Sequence, residues 1–264
     1  MKIGFIGMGN MAGAMIGGLV KNGLVAPRDI IGGDVSDALV KSRAEEYGIR
    51  TTKNNNEVVK EADYLVFAVK PQYAKEVIDG FKADIREETV VISIMAGKTL
   101  AWLEEAIGHK QKLVRCMPNT AALVGEAITA ASPNELVSED ELKTALEILK
   151  SFGRASVVPE KLMDAVVGLS GSGPAYVFMF IEALADGAVQ CGMPRAQAYE
   201  FAAQLVYGSS KLMLDTGKHP GELKDMVCSP AGTTIEAVKV LEEKGFRGAV
   251  IDAVEAAAKR SREL

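Results

Sequence analysis

The residues with the clearest chemical use form a glycine-rich turn near the N-terminus, residues 7–12 (GMGNMA). Strand-forming residues from Ile3 to Ile6 precede the turn, and apolar residues with helical spacing follow it as far as Leu19. A strand, a glycine turn and a helix in this order leave free backbone N–H groups at the positive end of the helix, and the glycines let a pyrophosphate approach closely. The turn therefore predicts dinucleotide binding, with a plain glycine-rich connector as the alternative.

An acidic residue stands where such a cofactor places its adenosine ribose. Asp34 follows the second predicted strand, about twenty residues beyond the glycine turn, where NAD-binding folds bind the ribose hydroxyls. Its charge would also repel a ribose phosphate, which favours NADH over NADPH. The alternative is that Asp34 only forms an Asx-turn before Ser36 caps the next helix. The sequence leaves both interpretations open.

Two further strand ends have compositions that suit the nicotinamide half of a dinucleotide. Lys70 leaves a hydrophobic run where the sheet opens, so we expect it to contact a ribose or the nicotinamide. The alternative is a solvated residue before Pro71, which begins a helix. The small residues Ala96 and Gly97 would permit close approach at the next strand end, although Gly97 can also serve a turn.

Hydroxyl-bearing residues cluster in the loop 229–234 (SPAGTT), which enters a predicted helix. Thr233 and Glu236 have the spacing of a capping box, and helix stability alone would explain such a box. Two threonines, a serine and a glycine at a helix start also form a receptor for a small carboxylate. The bend 170–174 (SGSGP) is interpreted first as a packing turn and second as a ligand contact.

The composition argues against several other kinds of function. A net charge of −5 with scattered Lys and Arg gives no electrostatic case for nucleic acid. Three cysteines without C-x-x-C spacing, together with two histidines, predict neither a disulfide framework nor a metal site. Residues 162–194 contain no Lys, Arg or His, so any chemistry there proceeds without a basic side chain. An opening strand at residue 2 and a longest apolar run of only 176–181 argue against a signal peptide or a bilayer span, so we expect a cytoplasmic protein.

The elements that must position these residues divide the chain into two parts. Residues 1–160 alternate strands and helices, which predicts a Rossmann-type parallel sheet covered on both faces, the α/β class. Residues 161–264 show no convincing strand and predict an all-helical dimerisation and substrate domain. The predicted strands are 2–6, 29–32, 63–69, 89–95, 112–117, 127–131 and 155–158, and the main helices are 11–19, 36–47, 138–151, 174–189, 194–214, 234–243 and 248–262.

The helical part is too apolar to fold as an isolated unit. Residues 174–189 are apolar on nearly every face, broken only by Glu182 and Asp186, which is typical of a buried helix. Four helices in about 100 residues cannot easily cover that much apolar surface alone. We therefore expect a homodimer whose subunits pack through these C-terminal helices.

The motifs at residues 7–11, 68–71 (AVKP), 117–120 (MPNT), 170–176 (SGSGPAY) and 219–235 resemble those of the pyrroline-5-carboxylate reductases, and the resemblance spans essentially the whole chain. It implies the last step of proline biosynthesis, in which the hydride of NADPH or NADH reduces a ring imine to L-proline. It also implies a Rossmann domain followed by a helical domain that intertwines in a dimer, often assembled into a decamer.

The resemblance implies a role for individual residues of this chain. It puts the pyrophosphate at Gly7, Gly9, Asn10 and Met11, the adenosine side near Asp34 and Asn55, and nicotinamide with its ribose near Ala68, Val69, Lys70, Pro71, Ala96 and Gly97. It puts the substrate carboxylate at Ser229, Gly232 and Thr233, and Thr234 beside the ring nitrogen as the candidate catalytic hydroxyl.

Two positions depart from the family pattern. Ala231 replaces a usual glycine of the loop and adds a methyl group close to the substrate. Asp34 stands where members that use NADPH tend to have a small polar residue, which argues for appreciable NADH use. Two rival functions stay open: a β-hydroxyacid dehydrogenase, which the stretch without basic residues disfavours, and a nucleotide-sensing module that binds the cofactor without turnover.

Overall fold

The computed structural model describes residues 1–263, which form two compact units. The first unit comprises Met1–Gly171 and the C-terminal residues from Ala258 onward, and the second comprises Ser172–Ala257. The sequence puts the domain boundary at 160/161, and that boundary stays a prediction because compactness divides the chain by a different criterion.

The first unit is built on an eight-stranded sheet in the order β3-β2-β1-β4-β5-β6-β7-β8. Every neighbouring pair among the strands β1 to β6 is parallel, and so is the β7–β8 pair. Only β7 and β6 run antiparallel. The sheet is therefore mainly parallel, as the sequence predicts, with one antiparallel pair between β6 and β7. The strands are β1 Ile3–Ile6, β2 Ile30–Gly33, β3 Arg50–Thr52, β4 Tyr64–Phe67, β5 Val90–Ser93, β6 Lys112–Met117, β7 Ala127–Pro133 and β8 Gly153–Val157.

Helices cover both faces of this sheet and enclose a separate hydrophobic cluster on each. One cluster joins Met15, Ile16 and Leu19 to Ile148 and Phe152, and the other lies on the opposite face. Strands β1, β4 and β5 are buried along their whole length, as near-continuous apolar runs require. The helices of this unit are α1 Asn10–Lys21, α2 Asp37–Tyr47, α3 Asn55–Glu61, α4 Ala74–Asp79, α5 Leu100–Ile107, α6 Glu139–Lys150 and α7 Met163–Val166.

The second unit is all-helical, as expected. Its helices are α8 Gly173–Gln190, α9 Arg195–Thr216, α10 Pro220–Val227, α11 Thr233–Glu243 and α12 Phe246–Arg262, the last of which ends in the first unit's C-terminal residues. Its small core centres on Ala185, Ala198 and Ala202. Many larger apolar side chains are exposed in the single chain, among them Phe178 (64%) and Met179 (68%). The helix 174–189 is thus exposed in the single chain, and its burial between subunits stays a prediction.

One helical stretch is long and apolar enough to cross a membrane by length and composition alone. It runs over Glu160–Gln190 with a mean hydropathy of 1.3 in its most apolar window. An uninterrupted run of apolar residues does not reveal this stretch, because isolated acids such as Glu182 interrupt it while its mean hydropathy stays high. Core helices of soluble proteins pass the same test, so this stretch is weak evidence for a membrane span.

Candidate cofactor and substrate sites

The glycine turn lies between the carboxyl end of β1 and the first residue of α1. Gly7 has a φ of +92°, and a Cβ there would lie 2.9 Å from the carbonyl carbon and oxygen of Ala68. Gly9 is the N-cap of α1, and a Cβ built on it meets nothing within 4 Å. No side chain caps α1, so the first-turn N–H groups, including those of Asn10 and Met11, remain free for an anion. The turn therefore fits a dinucleotide pyrophosphate.

Asp34, directly after β2, forms a hydrogen bond to the backbone of this turn. One carboxylate oxygen accepts a hydrogen bond from the backbone N–H of Met8 (2.8 Å), and the other accepts from the N–H of Ser36 (2.9 Å). The second bond is the Asx-turn that the sequence suggested, and Ser36 in turn caps α2 through the N–H of Leu39. Asp34 is half-buried, and carboxylate oxygens have further lone pairs that could accept from ribose hydroxyls. The Asx-turn at Asp34 is thus confirmed, and the carboxylate keeps the capacity to accept hydrogen bonds from a ribose as well.

Arg43 is a residue near the turn that sequence reasoning missed. Its Nε donates to the carbonyl oxygen of Met8 (3.3 Å), its Nη1 pairs with Glu46 (2.6 Å), and its guanidinium lies 5.8 Å from the Tyr47 ring centre. A Cβ at Gly13 would lie 2.7 Å from the guanidinium, so a glycine in α1 makes room for this side chain. The only signal was a glycine inside a helix, facing a residue that lies thirty positions further along the chain.

The Arg43–Glu46–Tyr47 group also changes the acidity of its members. Hydrogen bonding from Tyr47, and then from Arg43, lowers the pKa of Glu46. Partial burial is the main reason that the pKa of Tyr47 is raised. Glu46 therefore stays ionised beside Arg43, and this charge partner is one more reason for Arg43 to remain against Met8.

The remaining adenosine-side residue, Asn55, is the first residue of α3. A Cβ at Gly33 would lie 2.6 Å from its Oδ1, so Asn55 lies directly against the end of β2. Nearby, Lys53 forms an ion pair with Asp37 (2.9 Å) at the start of α2. The end of β2 is thus flanked by two acids, Asp34 and Asp37, with one lysine engaged by the second.

The predicted nicotinamide residues follow β4 and β5, which are neighbours in the sheet. Ala68 continues the β1–β4 pairing through a bond from its N–H to the carbonyl of Ile6 (2.9 Å). Lys70 is exposed and precedes Pro71, at which a short 3₁₀ turn begins. Ala96 is exposed, and Gly97 has a φ of +74°, which serves the turn as well as close approach. Because parallel strands end at the same edge, these residues lie on the edge that also carries the glycine turn.

In the helical unit the loop 229–234 leads into α11. Gly232 is the N-cap of this helix and provides no side-chain hydrogen bond, so Thr233 is the first helical residue. The predicted capping box of Thr233 and Glu236 is therefore wrong: the glycine backbone takes the cap position one residue earlier. A Cβ at Gly232 would lie 2.3 Å from the Oγ of Ser229, whose carbonyl accepts the Gly232 N–H (3.0 Å). The result is an uncapped helix start with a serine hydroxyl against it, which suits a carboxylate.

Two threonines and an alanine complete this loop. Thr234 is half-buried, and within the described residues its hydroxyl makes no hydrogen bond. Ala231 has a φ of +56°, the only left-handed conformation among the described non-glycine residues. Ala231, which the resemblance puts at a position usually held by glycine, thus occupies a conformation that glycine adopts most easily.

The bend 170–174 begins with a π turn over Val167–Gly171. The hydroxyl of Ser170 donates to the carbonyl of Val166 (3.1 Å), and a Cβ at Gly171 would lie 2.9 Å from the methyl carbon of Met117. Close packing against the end of β6 explains the glycine, in line with the packing interpretation.

The buried Cys116 is not a reactive thiol. Burial strongly raises the pKa of its thiol, which keeps it protonated.

The mainly parallel sheet, the glycine turn at its carboxyl edge and the uncapped α1 define a dinucleotide-binding protein. Comparison with known proteins gives the family. Residues 160–264 match the family model described as pyrroline-5-carboxylate reductase dimerisation, and residues 2–97 match that described as NADP oxidoreductase coenzyme F420-dependent. The chain is 51% identical over 263 residues to the pyrroline-5-carboxylate reductase of Escherichia coli (strain K12), with 100% of this chain and 98% of that protein covered. It belongs to the pyrroline-5-carboxylate reductase family.

Solved structures agree with this assignment. The pyrroline-5-carboxylate reductase of Coxiella burnetii superposes with a TM-score of 0.95 at 36% identity, covering 99% of this chain and 97% of that one. The Plasmodium falciparum pyrroline carboxylate reductase with NADP bound superposes with a TM-score of 0.88 at 32% identity, covering 100% and 97%. The resemblance and the fold class predicted from the sequence are both confirmed.

Proposed function

We propose that this protein reduces 1-pyrroline-5-carboxylate to L-proline with NADPH or NADH, the last step of proline biosynthesis. The observation that carries the proposal is the full-length identity to reductases of this name, in a chain that retains both a dinucleotide turn and a hydroxyl-rich loop at an uncapped helix start. The site residues named from the resemblance are proposed in the roles given there.

The substrate carboxylate is bound at the start of α11. The free N–H groups of the first turn and the dipole of this eleven-residue helix favour an anion, and the hydroxyls of Ser229 and Thr233 can donate to it. Pyrophosphate binding at α1 uses the same physics, because Gly9 at the N-cap leaves the first-turn N–H groups uncapped. Two helix starts thus hold the two anionic groups of the reaction.

The bound nicotinamide supplies a hydride to the imine carbon. A ring iminium is already electrophilic, so this chain has chiefly to align the ring and needs no strong base. If the imine arrives unprotonated, the Thr234 hydroxyl can hold a hydrogen bond to the ring nitrogen and relay one proton from water. Threonine is a poor general acid, so orientation of the ring is its larger contribution.

Asp34 favours use of NADH. Its carboxylate lies at the end of β2, with Asp37 close by in sequence and Lys53 engaged by that second acid. A ribose 2′-phosphate would add negative charge beside these acids, whereas ribose hydroxyls could donate to Asp34.

The C-terminal helices form a homodimer interface, with a decamer as the larger assembly, in the cytoplasm. The match to a dimerisation family and the exposed apolar side chains of α8 and α9 support subunit packing. Light scattering coupled to size exclusion tests the proposal: a monomeric mass at micromolar concentration would contradict it.

The decisive experiment is a steady-state assay of imine reduction with each cofactor. Oxidation of NADH or NADPH that depends on the ring imine and yields L-proline supports the proposal. Oxidation of β-hydroxyacids alone would favour the dehydrogenase alternative. Cofactor binding without consumption would favour a nucleotide sensor.

A further inference from the structure

We propose that Glu160, together with Arg115, is a positioning residue for the loop 94–99, which carries Ala96 and Gly97. This inference rests on the proposed function, since it assumes that this loop contacts the nicotinamide. No role for either charged residue follows from the motifs.

One carboxylate oxygen of Glu160 joins two parts of the first unit. Its Oε1 accepts a hydrogen bond from the backbone N–H of Leu100 (2.7 Å) and another from Nη1 of Arg115 (2.9 Å). Leu100 is the first residue of α5, so this bond fixes the point where the loop ends. Arg115 is 8% exposed and lies within β6, flanked in register by Ser93 of β5 and Ser132 of β7.

The other end of the loop is fixed to the sheet. The N–H of Ile94 donates to the carbonyl of Phe67 (3.1 Å), and the N–H of Met95 donates to the Oγ of Ser93 (3.4 Å). Met95 is buried, whereas Ala96 is exposed between the two anchors. The loop is therefore held at its start by the sheet and at its end by Glu160.

A charge is required at this anchor because Arg115 is buried. A buried guanidinium needs a partner, and removal of one member of such a pair leaves an uncompensated charge. Glu160 meets this need and also caps the N-terminus of α5, where Thr99 accepts only the Trp102 N–H. Loss of the carboxylate would release the loop end, and displacement of a reacting group by about 1 Å can cost about a hundredfold in rate.

The same strand offers a matched control. At the opposite end of β6, Lys112 pairs with Glu141, which also accepts the N–H of Ser138 at the start of α6. Both carboxylates thus join a β6 cation to a backbone N–H at a helix start. Only Glu160 adjoins the loop that carries Ala96 and Gly97. If both carboxylates served stability alone, their removal should therefore have the same effect on cofactor binding and kcat/KM.

The test compares Glu160→Gln with Glu141→Gln in the full chain by three measurements. These are hydrogen exchange of peptides covering residues 94–102, titration of NADH and NADPH against the fluorescence of Trp102, the single tryptophan, and steady-state imine reduction. We expect Glu160→Gln to speed exchange at Leu100, to weaken cofactor binding and to lower kcat/KM roughly ten- to hundredfold. We expect Glu141→Gln to leave kcat/KM within about twofold.

Equal effects of the two variants on exchange in the loop, cofactor binding and kcat/KM would overturn the inference. If Glu160→Gln does not accumulate as folded protein, the double variant with Arg115→Met removes the buried charge as well, and the same outcomes apply to it. Absence of imine reduction in the unchanged protein would refute the proposed function instead. Exchange and cofactor titration would still decide whether Glu160 positions the loop.

Discussion

Replacement of Ala231 by glycine should stabilise the protein. Ala231 has a φ of +56°, where an L side chain brings Cβ close to the following carbonyl oxygen at a cost of about 1–2 kcal/mol. Glycine removes that cost but makes the unfolded chain more flexible, which opposes stability by about 0.4–1 kcal/mol. The difference of the two midpoints predicts a gain of about 0.8 kcal/mol for Ala231→Gly. Ala231 is exposed, so no lost packing offsets the gain.

The assay is equilibrium urea unfolding at one fixed protein concentration, because subunit association makes apparent stability depend on concentration. Ala256→Gly is the matched control, since this exposed alanine lies within α12 and glycine there should destabilise by about 0.5–1 kcal/mol. The two substitutions are chemically identical and should have opposite signs. A loss of stability in Ala231→Gly similar to that in the control would refute the argument that strain is stored in this loop.

Three further outcomes follow from the structure. Thr234→Ala should lower kcat/KM for the imine by roughly tenfold to a thousandfold, and unchanged steady-state kinetics would remove this hydroxyl from the mechanism. Asp34→Ser should shift the ratio of kcat/KM values toward NADPH, and a large NADPH preference already present in the unchanged enzyme would contradict the charge argument. Glu61, whose pKa the hydrogen bond from Arg50 lowers from 4.5 to about 2, stabilises the folded state above pH 4.5 and loses this contribution as pH falls toward 2. The free energy of unfolding of Glu61→Gln should therefore be lower than that of the unchanged protein by about 1 kcal/mol or less at pH 7, and the two values should converge near pH 2. A difference that grows as the pH falls would contradict this expectation.

Most of the sheet could be predicted because its buried strands are continuous apolar segments of the sequence. Strands β4, β5 and β6 are apolar runs with turn residues on either side, and each was expected within two residues of its observed ends. Strand β3 was missed because Arg50 is exposed, Thr51 and Thr52 are only partly buried at the sheet edge, and the three show no apolar alternation. The reversal of β7 was missed because strand direction depends on how a connection packs, which local composition does not encode.

In the candidate sites, too, contacts between residues close in sequence could be predicted, whereas contacts between distant residues could not. Contacts within a few residues, such as the Asx-turn at Asp34, were foreseeable from side-chain chemistry. The shift of the α11 cap to Gly232 was not, since backbone angles decide between adjacent candidates. Arg43 and Glu160 act on residues 35 and 60 positions away, respectively, and only the folded chain brings them there.

Asp34, which we propose selects the cofactor, also binds the backbone of the glycine turn. Its two oxygens satisfy two separate amides, one on Met8 and one on Ser36, and only a carboxylate offers two acceptors without a donor. A neutral residue with one acceptor oxygen, such as the serine of Asp34→Ser, would leave that oxygen to serve both amides, so we expect weaker binding of both cofactors even as their ratio shifts toward NADPH. A productive redesign would have to rebuild the turn first and introduce a cation for the phosphate second.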